Sequence, residues 1–98
     1  MKIIFSELAD ADMQDILEYI AQDDLERAVS FTLELEEQIE KLSDYPYKHP
    51  PYSVEEYGEA VRVLHYHGYR VLYEVESDTI YIHEVTQDRK QSRHLKLV

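Results

Sequence analysis

Four residues in the second half of this chain, His65, Arg70, Glu74 and His83, are of types that do chemistry. An imidazole takes or gives a proton near neutral pH, and a guanidinium grips phosphate through paired hydrogen bonds. His65 and His67 form an H-x-H pair with acids nearby, a beginning for a metal site. No third ligand stands at a diagnostic spacing, so no metal is assigned. Arg89, Lys90, Arg93 and Lys96 make the one concentrated basic run, either a recognition tail or a solvated end. Tyr45, Tyr47, Tyr52 and Tyr57 sit in a Pro-rich stretch, where tyrosine serves to anchor a partner, to stack on bases, or simply to glue a loop to its own core. Gly58 and Gly68 are the two glycines, so no phosphate-cradling loop exists and no cofactor is implied. The plainer reading of the His, Arg and Glu set is ordinary cross-strand pairing on a solvated sheet face.

The elements that must position these residues follow from periodicity. Runs rich in Val, Ile and Tyr at 60–66, 69–75 and 79–85 are separated by His67-Gly68 and Ser77-Asp78, which predicts an antiparallel meander. A two-residue turn at His67-Gly68 pairs His65 with Arg70, Val63 with Leu72 and Val61 with Glu74. One at Ser77-Asp78 pairs Val75 with Ile80, Tyr73 with Ile82 and Leu72 with His83. Leu64, Tyr66, Val71, Tyr73, Val75, Ile80 and Ile82 then share an apolar face for helices to cover. Val61, Val63, His65, Arg70, Leu72, Glu74, Tyr81 and His83 collect on the other, which is expected to stay open with Arg70 pointing outward.

Upstream, Lys2-Ile3-Ile4-Phe5 reads as a buried or edge strand ending at Ser6, a helix cap. Met13, Ile16, Leu17 and Ile20 then fall on one stripe of a helix of about 15 residues, with Asp10, Asp12, Gln14, Asp15 and Glu18 on the wet side. Asp23 and Glu26 have capping-box spacing for a second helix, whose inward residues are Leu25, Ala28, Phe31, Leu35, Ile39 and Leu42. Residues 43–59, which hold every proline, show no period and read as a connecting loop. The fold class expected is α+β of order βααβββ, a helical hairpin packed on one face of an antiparallel sheet, as a single domain over 1–98.

Length and composition bound the function. A chain of 98 residues has room for one core. It has no cysteine, which removes disulfides, thiolate metal sites and cysteine nucleophiles. No stretch is long and apolar enough for a signal peptide or membrane span, so the expected location is cytoplasmic, away from membranes. The formal net charge is -11, and the mean hydropathy is -0.53. Such a field repels nucleic acid unless the cations are gathered on one patch. Most acids precede Lys48, whereas Lys48, Arg62, Arg70 and the basic run follow, so the halves differ in charge.

The order strand, helical hairpin, loop, meander and basic tail resembles the RelE/ParE superfamily of toxins from bacterial type II toxin–antitoxin systems, which includes proteins labelled plasmid stabilisation proteins. The matching residues are Ala9-x-x-Asp12-Met13-x-x-Ile16-x-x-Tyr19-Ile20, then Ala28-x-x-Phe31, Leu35, Ile39, Leu42 and Pro46. The most specific block is Gly68-Tyr69-Arg70-Val71-Leu72-Tyr73-Glu74-Val75. The resemblance implies a cognate antitoxin partner in a toxin–antitoxin hetero-oligomer, and one of two activities. In the RelE-like one, a ribosome-dependent mRNA endoribonuclease, Arg70 with His65 and His83 would be catalytic. The lysines of that type are replaced by Val61 and Val63, however, and Asp88 stands at an arginine position. In the ParE-like one, a non-enzymatic inhibitor of a protein target such as DNA gyrase, the target-binding residues would be Arg62, Arg70, Arg89 and Arg93. The ParE-like reading fits better. A non-toxic remnant acting as a binding module is the third possibility. The acidic helices imply an antitoxin segment that is apolar with cations facing residues 7–40.

Overall fold

The computed structural model describes residues 1–52 and 60–88. Tyr57, Arg89, Lys90, Arg93 and Lys96 therefore lie outside the described residues. Strand β1 (Lys2–Phe5) leads into helix α1 (Glu7–Ala21) and helix α2 (Leu25–Glu40), which ends in a 3-10 turn at Lys41–Ser43. Strands β2 (Val61–Tyr66), β3 (Tyr69–Glu76) and β4 (Thr79–Gln87) complete the chain described. The sheet order is β1-β4-β3-β2. The meander is antiparallel as its short turns require, but β1 lies parallel to β4, so the sheet is mixed rather than wholly antiparallel.

Local chemistry explains the boundaries. Ser6 caps α1, its hydroxyl accepting the Ala9 N–H at 2.9 Å. The cap of α2 is Asp24, which accepts the Arg27 N–H at 3.0 Å, and not Asp23 as the capping-box spacing suggests. The reason is that the N–H groups of Asp23 and Asp24 both turn back to the Ile20 carbonyl to close α1, leaving Asp24 as the first residue free to face the new helix. His67 and Gly68 both take positive φ (45° and 83°), as a type I′ hairpin turn demands, and Ser77 does so at 55°.

The β2–β3 register agrees with the sequence reading throughout, from Val61 opposite Glu74 to Tyr66 opposite Tyr69. Between β3 and β4 it agrees only at the turn end. A bulge intervenes, so that Leu72 faces Glu84 and not His83. The extra residue lets Val85, 2% exposed, join the helix-covered core, while Glu84 is fully buried on the far face.

Helices α1 and α2 cover one face, where Ile16, Phe31, Leu35, Ile39, Val71, Tyr73, Ile80 and Ile82 form the main core. Each such side chain contributes about 1.5–3 kcal/mol on burial. Leu25 does not join them: it is 66% exposed, as its place at the start of α2 is rotated off the Ala28–Phe31–Leu35–Ile39 stripe. The second face is partly covered, with His65 and Tyr81 left exposed. Residues 50–52 run alongside β2, the Tyr52 N–H donating to Val61 O (2.7 Å) and the Val63 N–H to Pro50 O (3.1 Å). Tyr52 then packs on a small second core of Val61, Val63 and Leu72.

The bulge makes a demand that α1 meets. Beyond Ile82, β4 has outrun the four residues of β1, and its outer backbone groups need other partners. The Ser6 hydroxyl donates to His83 O at 2.8 Å, and an Asp12 side-chain oxygen accepts the Val85 N–H at 2.8 Å. Asp12, expected on the wet side, is 1% exposed. Removing a buried acceptor strands its donor, so Asp12→Ala is expected to cost about 2–3 kcal/mol, read as a lower urea midpoint at unchanged slope. Asp12→Asn, which keeps an acceptor oxygen, should cost less. Equal midpoints for Asp12→Ala and the parent would refute this role.

Candidate functional site

Arg70 stands in the middle strand of the meander, opposite His65 on β2 and Thr86 on β4. The strap at 50–52 governs its environment. The Arg70 guanidinium lies over the Tyr52 ring, 5.2 Å from its centre, and Nε donates to Thr86 Oγ1 at 3.1 Å. At 8% exposure the residue does not project into solvent as the sequence reading expected. A buried guanidinium under an aromatic ring is well placed to hold the strap on the sheet.

Arg62 does similar work on the other side. It pairs with Tyr73 across the β2–β3 ladder, so by strand alternation it faces the helical side while Arg70 faces away. Its Nη1 donates to the carbonyls of Tyr47 (3.2 Å) and His49 (2.6 Å), and its guanidinium sits 5.1 Å from the Tyr47 ring centre. The Tyr73 hydroxyl adds a bond to Pro46 O at 3.0 Å. Residues 46–52 thus wrap the β2 edge, fastened by Arg62 and Tyr73 on one face and by Tyr52 with Arg70 on the other. The structure does not bring Arg62 and Arg70 together.

The histidines are also apart. His65 Nδ1 lies 3.1 Å from Asp88 Oδ1, both side chains well exposed, and His83 Nε2 lies 3.1 Å from Glu74 Oε1, both about a quarter exposed. The rings belong to β2 and β4, with β3 between them, which separates them by roughly 10 Å or more. Each is matched by its own carboxylate. His67 occupies the turn and packs edge-on against Tyr66, and no three His, Asp or Glu groups among the described residues are placed to hold a metal. The second face therefore carries Glu74, Glu84 and Asp88 beside Arg70 and the two histidines, a mixture that offsets the positive charge a phosphodiester needs. Glu84 escaped the sequence reading because nothing marks the bulge that brings it there.

A further feature lies on α2. Leu25, Val29 and Leu33, at i, i+4 and i+8, are 66%, 46% and 59% exposed and form an uncovered apolar stripe. That spacing was present in the sequence but was overshadowed by the core stripe beside it. On the opposite flank of the same helix the Arg27–Glu34 ion pair (2.8 Å) and the Tyr66 hydroxyl, donating to Glu34 at 2.9 Å, tie α2 to β2. Arg27 first, then Tyr66, holds the Glu34 carboxyl below its ordinary range, and the Glu34 bond raises the Tyr66 phenol.

Residues 3–91 match the family model described as the ParE toxin of the type II toxin–antitoxin system, parDE. Among solved structures the chain is similar to a protein of the chromosomal ParDE TA system from P. aeruginosa, with a TM-score of 0.72 and 20% identity over 89% of this chain and 95% of that one. It is similar also to the isolated E. coli RelE toxin, with a TM-score of 0.64 and 11% identity over 97% and 92% of the two chains. A chain of the RelBE2 toxin–antitoxin complex from Mycobacterium tuberculosis follows at 0.57 and 20%, over 88% and 95%. No curated protein matches.

Half-buried His49 on the strap and buried Tyr73 of β3, whose rings meet edge-on, predict the pH response there. Burial first, then the charges of Lys48 and His65, lowers the His49 pKa below its usual 6.5. The folded state thus binds fewer protons than the unfolded chain, so the stability present above about pH 6.5 falls as pH drops through the lower folded value. His49→Asn is expected to flatten the stability profile in that window, measured by urea midpoints at a series of pH values; an unaltered profile would count against a buried neutral ring. Burial pushes the Tyr73 phenol up to about 12. Its contribution is present below about pH 10 and is lost as pH rises toward the folded value. Absorbance titration of Tyr73→Phe should lack the most alkaline tyrosine.

Proposed function

This chain belongs to the ParE toxin family of type II toxin–antitoxin systems, and from that premise we propose that it acts in the cytoplasm as a non-enzymatic inhibitor of a protein target such as DNA gyrase and is neutralised by a cognate antitoxin. The observation that carries the choice of target class is the second sheet face. Arg70 is built into the fold beneath Tyr52, and His65 and His83 are separately paired with Asp88 and Glu74. Metal-free RNA cleavage needs a convergent set of cations and an acid–base pair around one phosphate, whereas each of these side chains is engaged with a different partner.

Four arginines were expected to meet the target, and their surroundings divide the roles. Arg62 and Arg70 hold the strap that shapes the surface. We assign the direct target contact to Arg89 and Arg93, in the basic run that follows β4. The uncovered Leu25–Val29–Leu33 stripe supports a protein partner for the helices, since monomeric proteins rarely leave contiguous apolar rows in water. A net charge of -11 also favours a protein target over a ribosome.

Induction without antitoxin should arrest growth, leave transcripts intact and block gyrase supercoiling in extracts. The Arg89→Ala/Arg93→Ala variant should relieve the arrest at unchanged melting temperature, whereas Arg70→Ala should lower the melting temperature by several degrees. Cleaved transcripts lost in Arg70→Ala would instead favour the RelE-like endoribonuclease. Normal growth with tight antitoxin binding would identify a binding module without toxicity.

A further inference from the structure

Helix α2 runs out at Glu40, and the chain then makes two tight turns on its way to the strap. The Asp44 N–H returns to Lys41 O and the Lys48 N–H to Tyr45 O, each at 3.1 Å. Against the last turn of α2 these turns enclose a pocket of about 260 Å³, with buried Leu42 in its wall. Its polar lining is Gln38, Lys41, Asp44, Tyr45, Lys48 and His49. Apart from Lys2 and Arg27, the two lysines are the only cations in the first 48 residues of a chain whose net charge is -11, and this one pocket gathers both. Lys41 is held loosely, 3.8 Å from Glu37 in an exposed pair, so an arriving anion displaces that carboxylate at little cost. The His49 wall is anchored, its ring edge-on to Tyr73 at 6.2 Å and its carbonyl accepting Arg62 at 2.6 Å. The Tyr45 ring, by contrast, is 72% exposed.

We propose that this pocket binds a guanine mononucleotide, with its 5′-phosphate between Lys41 and Lys48, its base stacked on Tyr45 and the edge of the base on Asp44. Each part of the ligand answers to a side chain. Two ammonium groups attract a phosphate, but Asp44 offsets one of them and Glu37 competes for Lys41. Phosphate alone is therefore held weakly, and a second group has to contribute. An exposed phenol ring offers a stacking surface to a flat base. A carboxylate accepts two hydrogen bonds side by side; guanine presents two adjacent donors on its pairing edge, where adenine presents a donor beside an acceptor. Gln38, which both donates and accepts, suits either base. The volume lies below the roughly 300–1,000 Å³ of sites for drug-sized ligands, which suits a single nucleotide rather than a strand. Once bound, the nucleotide joins the end of α2 to the strap that Arg62 and Tyr52 fasten. Arg70 does not line this pocket, and the inference stands apart from the toxin reading.

The test is titration of the 15N-labelled full chain with guanosine 5′-monophosphate, adenosine 5′-monophosphate, guanosine and inorganic phosphate. The guanine nucleotide should shift the Gln38, Lys41, Asp44 and Lys48 amides, and the other three should bind about tenfold more weakly or worse. Its affinity should fall as salt rises. Lys48→Gln should weaken it about fivefold or more, whereas Lys2→Gln, the same charge change at an exposed site elsewhere, should weaken it less than about twofold. Asp44→Asn should erase the preference for guanine over adenine. Both pocket substitutions fall on exposed residues, so the amide spectrum away from the pocket should overlay that of the parent. No binding, shifts confined to other surfaces, equal affinity for the nucleotide and inorganic phosphate, equal losses in Lys48→Gln and Lys2→Gln, or a guanine preference that survives Asp44→Asn would each overturn the proposal. Growth arrest on induction reports on the toxin reading separately. Arrest without nucleotide binding rejects the pocket alone, and nucleotide binding without arrest rejects toxicity while the pocket stands.

Discussion

The structure depends on a substitution of one kind of partner for another along β4. This strand is longer than the β1 strand beside it, and the bulge at His83 turns the His83 carbonyl and the Val85 N–H toward the helical layer, where a sheet neighbour would ordinarily satisfy them. Helix α1 supplies the replacements from its own first turns: Ser6, which also caps the helix, and Asp12, buried one and a half turns later. Both bonds close only if α1 lies across β4 at a fixed height and rotation. The same two residues therefore set the depth at which Ile16 and Ala9 enter the core and the angle at which the hairpin presents α2.

From that placement follow two features of the surface. Helix α1 and the end of α2 flank β1 and leave its edge open as an acidic, apolar-floored groove. On the opposite side of the sheet, where none of the described helices packs, residues 50–52 cover Val61, Val63 and Leu72. Arg70 fastens that segment on this side and Arg62 on the helical side, both using planar donors or ring contacts that lysine cannot reproduce. The cations most attractive as functional groups in the sequence are thus consumed in shaping the surface. On the function proposed above, recognition falls to the exposed stripe of α2 and to the basic run that follows β4 in the sequence.

The helical hairpin and the meander were legible because their signals are local. Ser6, the 3.6-residue stripes and the His67-Gly68 turn each specify their own neighbourhood, and a turn transmits register faithfully along a hairpin. Register was lost at His83, because a bulge without glycine leaves no mark in composition. The parallel β1–β4 pairing was illegible since no turn joins those strands. Asp12 was assigned to water because it sits among Asp10 and Asp15, although the partner that buries it is a backbone N–H 73 positions away. Arg70 was expected in solvent because a Pro-rich segment lacking any period gave no sign that it would fold back over the sheet.

The most direct test of this account is native-state hydrogen exchange at the Val85 amide. If Asp12 completes the ladder, that proton exchanges as slowly as the Val71 and Ile82 amides of the core, near the limit set by global unfolding, and in Asp12→Ala it loses protection more than they do. A Val85 amide that exchanges at the rate of an open edge in the parent protein, or that stays protected when Asp12 is removed, would contradict it.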